Sequence, residues 1–166
     1  MTTITLSPDF RYVIYVVCLS VLLMVVKGLL ASKGRRKYGV PYPDQYAVKG
    51  VTRRKPLNVL GAASGAKKSD DVPLLTDEEV DAYNCFQRQH YNTLENYPQF
   101  LVLLILGGLH DGKTSAIGGC VWLVSRLCYA LGYTLMGPNW RVVGSFYMVG
   151  MLICLYNTLQ FAWSLA

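Results

Sequence analysis

The sequence has little charge, and three long blocks of it have almost none. Residues 12–26 and 142–166 contain no Asp, Glu, Lys or Arg, and residues 117–135 contain Arg126 alone. Each block approaches the roughly 20 apolar residues that a helix needs to cross the hydrocarbon core of a bilayer. The blocks also lack the apolar–polar alternation of a transmembrane β-barrel. The sequence therefore predicts an all-α integral membrane protein.

Three further absences narrow the class of protein. The first apolar block lacks the basic start and the small-residue cleavage site of a secretory signal peptide, so we expect a retained membrane span. The five cysteines form no CxxC pair and no metal-ligand spacing, so no metal centre is expected. The sequence holds no N-x-S/T sequon that would indicate a glycosylated ectodomain.

The positive charge is concentrated after the first apolar block. Ten of the 16 Lys and Arg residues fall between Lys33 and Lys68. Because cytosolic connections carry an excess of basic residues, this connection is predicted to be cytosolic. A basic cluster also suits nucleic acid, but beside a membrane span we favour the topology signal and contact with anionic membrane lipid, and expect no nucleic-acid partner.

The chain is predicted to be a single domain, residues 1–166, built as a four-transmembrane-helix bundle. The spans are expected at about 10–31, 79–110, 116–136 and 142–165, with a flexible cytosolic loop at about 48–75. Arg11 and Lys27 are expected to snorkel from the first span towards the two interfaces. Thr76 followed by Glu79 predicts a capping box at the start of the second helix.

Polar residues recur at helical spacing on the second and third helices. Arg88, Asn92 and Glu95 are spaced i, i+4, i+7, which places them on one face. Arg126, Tyr129 and Tyr133 are spaced i, i+3, i+7 on the third span, and Arg141 follows at the start of the fourth. The topology brings these segments, with Arg35 and Arg36, to the cytosolic side.

The arginine at position 126 is the hardest of these residues to explain as an interfacial anchor. A charged side chain at mid-span costs about 2.5–3.5 kcal/mol on insertion scales, so it is expected to face the bundle interior with a partner. Glu95 is the natural partner for Arg126 or Arg88. The alternative is that these residues are interfacial anchors with an intrahelical ion pair, and that Arg35 and Arg36 only set the topology. The surplus of arginine over carboxylate favours a site for an anionic ligand.

Four ordered motifs resemble one known family. FQRQHYNTLENYP at residues 86–98 is similar to the signature of the MAPEG family, the membrane-associated proteins in eicosanoid and glutathione metabolism. RRKYGVPYP, RLCYALGY and GYTLMGPNWR agree with it in the same order. The branch that the sequence resembles most closely is the type 3 microsomal glutathione S-transferases.

The resemblance implies a homotrimer that binds glutathione as a co-substrate between neighbouring subunits near the cytosolic face. Arg141 resembles the arginine that stabilises the glutathione thiolate, and Arg36 matches the region of the second substrate. The residues that look like glutathione contacts are Arg35, Arg88, His90, Asn92, Glu95, Arg126, Tyr129 and Tyr133. The resemblance also implies an endoplasmic reticulum (microsomal) membrane, with the mitochondrial outer membrane as the alternative.

The activity that follows from the resemblance is glutathione transfer to a lipophilic electrophile, with glutathione-dependent peroxidase activity on lipid hydroperoxides. A leukotriene-type synthase activity stays open beside it. The alternative from another class is a non-catalytic lipid-binding or scaffold protein on the same fold, but such a protein has little use for glutathione ligands. Asn96 departs from the pattern because some synthases of the family have tyrosine at this position.

Overall fold

The computed structural model describes residues 6–55 and 72–166, and most of these residues are helical. Four α-helices follow in chain order: α1 (Phe10–Tyr38), α2 (Asp77–His110), α3 (Gly112–Leu131) and α4 (Tyr147–Trp163). A π-helical segment (Gly132–Met136) and a 3₁₀ segment (Pro138–Gly144) connect α3 to α4. The prediction of an all-α fold is confirmed for this part of the chain.

Among the described residues, three helical segments are long and apolar enough to cross a membrane: Phe10–Tyr38, Gly112–Met136 and Pro138–Trp163. On α1 the large apolar side chains that are at least half exposed suit contact with lipid: Ile14, Tyr15, Leu19, Val21, Leu22, Val25, Val26 and Leu29. The second helix does not meet the same criterion, because its first half is polar.

The start of α2 follows from its sequence. The Thr76 hydroxyl accepts a hydrogen bond from the Glu79 amide at 3.2 Å, and the Glu79 carboxylate accepts one from the Thr76 amide at 3.1 Å. The predicted capping box is therefore confirmed, and it satisfies two backbone donors at the helix start.

Backbone hydrogen bonds hold both described ends of the connection between α1 and α2. The Lys55 amide donates to the Gly39 carbonyl at 2.8 Å, and the Leu75 amide donates to the Thr52 carbonyl at 2.9 Å. A single antiparallel bridge pairs Arg53 with Leu74. Most of the predicted flexible loop, 56–71, lies outside the described residues, and its flexibility stays a prediction.

The core packs where α2 meets its neighbours. It contacts α1, α3 and α4, and the Phe100 ring stacks on Trp122 of α3 with centroids 3.9 Å apart. The crossing of α3 and α4 depends on small residues, since a Cβ at Gly150 would lie 2.4 Å from the Gly118 carbonyl oxygen. Such small-residue contacts let helix backbones approach closely, as in membrane bundles.

Candidate functional site

The polar face of α2 opens onto a cavity. Arg88, Asn92 and Glu95 all line a cavity of about 410 Å³, which we call the ligand cavity. Tyr91, one helical turn from Arg88, lines it as well. The i, i+4, i+7 spacing thus places all three predicted residues on one wall.

The buried arginine of α3 forms the floor of the ligand cavity. Arg126 is 1% exposed, and its Nη1 donates to the Asn92 Oδ1 at 2.9 Å. Its guanidinium lies 3.7 Å from the centroid of the Tyr147 ring, a cation–π contact. Its Nε has no hydrogen-bond partner among the described residues. A buried cation with an unused donor suits an anionic ligand.

Two tyrosines continue this wall towards the end of α3. Tyr129 and Tyr133 are both buried, and their ring centroids lie 5.1 Å apart. Tyr133 belongs to the π-helical segment that follows α3, and such segments occur frequently at functional sites.

The turn before α4 brings Arg141 to the same cavity. The Ser125 hydroxyl donates to the Gly144 carbonyl at 2.5 Å, which fastens the 3₁₀ segment to α3. Gly144 permits this approach, because a Cβ there would lie 2.3 Å from the Tyr129 Cβ. Arg141, in the same segment, is exposed in the protomer and lines the ligand cavity.

Seven of the residues singled out in the sequence thus meet in one cavity of the protomer, and three do not. The seven are Arg88, Asn92, Glu95, Arg126, Tyr129, Tyr133 and Arg141. Of the other three, Arg35 is buried, and its Nη1 donates to the carbonyls of Val40 at 3.1 Å and Asp44 at 2.7 Å. Arg36 is exposed at the end of α1.

His90 points away from the ligand cavity, towards α1. A Cβ at Gly28 of α1 would lie 3.6 Å from the His90 Cε1. Its neighbour Arg88 lines the cavity while His90 does not, because residues two apart on a helix face different ways.

The predicted pairing of Glu95 with an arginine is wrong within the protomer. Glu95 forms no salt bridge with any described residue, and the partner of Arg126 is the Asn92 amide. Glu95 is exposed at the cavity wall, so its carboxylate is free to accept a donor from a ligand.

The predicted snorkelling of Lys27 is also wrong. Lys27 is 1% exposed, and its Nζ donates to the Arg126 carbonyl at 3.2 Å. The Gln89 amide donates to the Lys27 carbonyl at 3.0 Å from the other side. Lys27 thus lies behind Arg126, bound to its backbone, and does not line the ligand cavity.

Sequence reasoning missed three aromatic residues of the cavity. Tyr46, Tyr91 and Tyr147 line it beside the predicted set. Tyr91 could have been found from its i+3 spacing to Arg88, whereas Tyr46 lies in an irregular connection that carries no periodic signal. Burial raises the pKa of Tyr46, while the neighbouring Arg88 cation acts in the opposite direction.

The ligand cavity combines groups of complementary chemistry. Its lining includes three arginines, Arg88, Arg126 and Arg141, one carboxylate from Glu95, and several tyrosines. Guanidinium forks bind carboxylates, and a carboxylate binds an ammonium group. The cavity therefore suits a ligand that carries more than one carboxylate and one amine.

The sequence was compared with models of known protein families. Residues 13–163 match the model of the MAPEG family, and this range covers all four helices almost completely.

Proposed function

Because the chain belongs to the MAPEG family, we propose that it is a membrane-bound glutathione transferase of the type 3 microsomal branch that also reduces lipid hydroperoxides. The family includes glutathione transferases, peroxidases, and leukotriene and prostaglandin synthases, so membership supports glutathione chemistry in a membrane. One observation carries the finer proposal: the ligand cavity gathers three arginines and one glutamate. Glutathione, with two carboxylates and one amine, matches this set group for group.

The proposed role of Arg141 is to stabilise the glutathione thiolate. A free thiol ionises at a pKa of about 8.5, and only the thiolate is nucleophilic. A guanidinium near the sulfur lowers the pKa of the bound thiol, and each unit corresponds to about 1.4 kcal/mol. Arginine itself stays protonated throughout, so the positive charge persists at every working pH.

Two reactions follow from this thiolate. With a lipophilic electrophile, the sulfur forms a bond to carbon and the leaving group departs, or an epoxide ring opens. With a hydroperoxide, the thiolate sulfur attacks the terminal oxygen and the O–O bond breaks, which yields glutathione sulfenic acid and an alkoxide that takes a proton from water to become the lipid alcohol. A second glutathione then condenses with the sulfenic acid to the disulfide, and water leaves.

We further propose that four helices span the membrane and that the protomers form a homotrimer. Arg88, Glu95 and Arg141 are exposed in the protomer, and charged groups exposed on a membrane bundle are costly unless a neighbour or water covers them. A neighbouring protomer of a closed symmetric oligomer would provide that cover. Arg35 and His90, which lie outside the ligand cavity of their own protomer, are then proposed to contact glutathione across the interface.

The proposal is tested by stopped-flow ultraviolet difference spectroscopy on detergent-solubilised protein. Glutathione should give a thiolate signal at pH 7, and Arg141→Ala should abolish most of it and lower turnover roughly 10²-fold. Turnover of this variant should recover as pH rises towards about 8.5, where the thiol ionises unaided.

The matched control is Arg11→Ala, which removes an exposed arginine whose guanidinium donates to the Tyr12 hydroxyl and which does not line the ligand cavity. It should leave the thiolate signal unchanged. An unchanged signal in Arg141→Ala contradicts the role of that residue. A wild-type protein that binds no glutathione and forms no thiolate contradicts the enzyme proposal and favours a lipid-binding scaffold.

A further inference from the structure

The segment that follows α1 lies against the polar half of α2, and we call residues 40–55 the cover segment. Its backbone is held by two α2 side chains. The Asn84 Oδ1 accepts from the Ala47 amide at 2.9 Å, and its Nδ2 donates to the Ala47 carbonyl at 3.0 Å. The Tyr83 hydroxyl donates to the Gln45 carbonyl at 3.1 Å. The residues on both sides of Tyr46 are therefore tethered to α2.

This tether places the Tyr46 side chain at the boundary of two cavities. Tyr46 lines the ligand cavity, and it also lines a second cavity of about 410 Å³, which we call the vestibule. Arg88 and Tyr133 are the other two residues shared by both cavities. The vestibule is otherwise lined by Asp81, Asn84, Cys85 and Pro138. A ligand that passed between the two cavities would therefore contact Tyr46.

The environment of Tyr46 suits a ligand contact rather than a structural core role. Tyr46 is 39% exposed, and its ring is tilted against the ring of Tyr91, with centroids 6.2 Å apart. The Arg88 guanidinium lies within hydrogen-bonding reach of the Tyr46 hydroxyl. A partly exposed tyrosine whose backbone is fixed offers a ligand both a polar hydroxyl and an apolar surface at low entropic cost.

We propose that Tyr46 is a further glutathione-contacting residue that closes the ligand cavity towards the vestibule, with Asn84 as the positioning residue that holds it there. This inference rests on the proposed function of the ligand cavity. Tyr46 stabilises bound glutathione without touching the reacting sulfur, so its loss affects binding and release rather than the chemical step. Asn84 acts only through the backbone of Ala47.

The experiment measures KM and kcat for glutathione. It also measures the rate at which glutathione dissociates from the protein, by following the loss of the thiolate absorbance. Tyr46→Ala should raise KM and the dissociation rate about tenfold and leave kcat within about twofold. The reason is that the loss of a contact outside the reacting centre changes the rate of ligand dissociation more than the rate of the chemical step. Tyr46→Phe keeps the ring and should raise KM by no more than about threefold. Asn84→Ala should raise KM about as much as Tyr46→Ala, and combining the two should add little, since both act through one side chain.

Val48→Ala is the control, because Val48 is an exposed residue of the cover segment and lines neither the ligand cavity nor the vestibule. It should leave KM unchanged. A KM within twofold of wild type in both Tyr46→Ala and Asn84→Ala overturns the inference, as does a loss confined to kcat. Tyr46→Leu replaces Tyr46→Ala if the latter unfolds. Failure of wild-type protein to form a thiolate instead rejects the proposed function itself, so the two failures are distinguishable.

Discussion

At the scale of single residues, the ligand cavity is defined by charge that the protomer does not neutralise. The described residues give Arg126 an amide partner in Asn92 and give Glu95 no cationic partner. A carboxylate that is left unpaired beside guanidinium groups is available for the ammonium group of a ligand. Glu95 is therefore the residue that most directly tests the match between the cavity and glutathione.

We expect Glu95→Gln to raise KM for glutathione about tenfold and to leave kcat within about twofold. The reason is that a hydrogen bond to a charged group contributes about 1.5–3 kcal/mol and that Glu95 is proposed to bind the amine rather than the sulfur. Steady-state kinetics with a generic electrophile measure both constants.

Two controls accompany this substitution. Glu78→Gln removes an exposed carboxylate of the first turn of α2 that does not line the ligand cavity, and it should leave KM unchanged. A glutathione analogue without the amine should bind wild type and Glu95→Gln equally well. If the variant still prefers the amine-bearing form by tenfold, Glu95 does not bind the amine.

At the scale of helices, each end that positions the site has an identifiable local cause. The start of α2 is held by the Thr76–Glu79 capping box, and the start of α3 is held by Asp111. The Asp111 carboxylate accepts from the Lys113 amide at 3.0 Å and the Thr114 amide at 3.1 Å. A hydrogen bond from the Thr114 hydroxyl, together with these two backbone hydrogen bonds, lowers the pKa of Asp111 below its usual value.

Asp111→Ala should lower the stability of the protein by about 1 kcal/mol at pH 7, the usual cost of losing an N-cap. Because the pKa is lowered in the folded state, this contribution is present above the unfolded value of about 3.9 and is lost as pH falls through the folded pKa. The stability difference between wild type and variant should therefore narrow below about pH 4. Unfolding in detergent at pH 7, 5 and 3 measures it.

Asp111→Ser is the matched control for this element. Serine is about as good an N-cap as aspartate but does not ionise, so the variant should remain close to wild type at pH 7. Relative to Asp111→Ala, its advantage should stay constant down to pH 3. A constant difference between wild type and Asp111→Ala over the same range would contradict the role of the ionised carboxylate.

At the scale of the whole molecule, the protomer assembles part of the predicted site and leaves part of it outside. Seven predicted residues line the ligand cavity, whereas Arg35 and His90 lie elsewhere. The Arg35 Nη1 is used by Val40 and Asp44, but its guanidinium has five N–H donors in all, which leaves donors for a ligand. A site shared between protomers accommodates both groups of residues.

Complementation between two inactive variants tests this arrangement. His90→Ala and Arg141→Ala should each have little activity alone. When the two variants are co-expressed in equal amounts, they should mix at random within trimers. A site that draws His90 from one protomer and Arg141 from its neighbour then has both residues intact in about one quarter of cases, so about one quarter of wild-type activity should be restored.

Two outcomes would contradict the shared site. Restoration below a few per cent would mean that both residues belong to one protomer's site, provided that affinity tags on the two variants show mixed oligomers. Full activity of His90→Ala alone would mean that this residue does not contact glutathione at all. Mixed oligomers made with Arg11→Ala in place of His90→Ala supply the control, since half of their sites should be intact.

The sequence by itself determined where the helices form and which residues make up most of the wall of the ligand cavity. Long stretches without charge, the capping box at Thr76 and the spacing of Arg88, Asn92 and Glu95 are local features, and local hydrogen bonding and side-chain periodicity fix their outcome. These features predicted α2 and its polar wall without any knowledge of packing.

Only the tertiary structure decided which faces meet. Spacing sets the angle of a side chain around its own helix, but the neighbour it meets depends on close contacts such as Gly118 with Gly150 and Gly144 with Tyr129. In the folded protomer Arg126 is paired with the Asn92 amide instead of Glu95, and Lys27 is buried behind it. Tyr46 completes the cavity wall, although it comes from a connection with no periodic pattern.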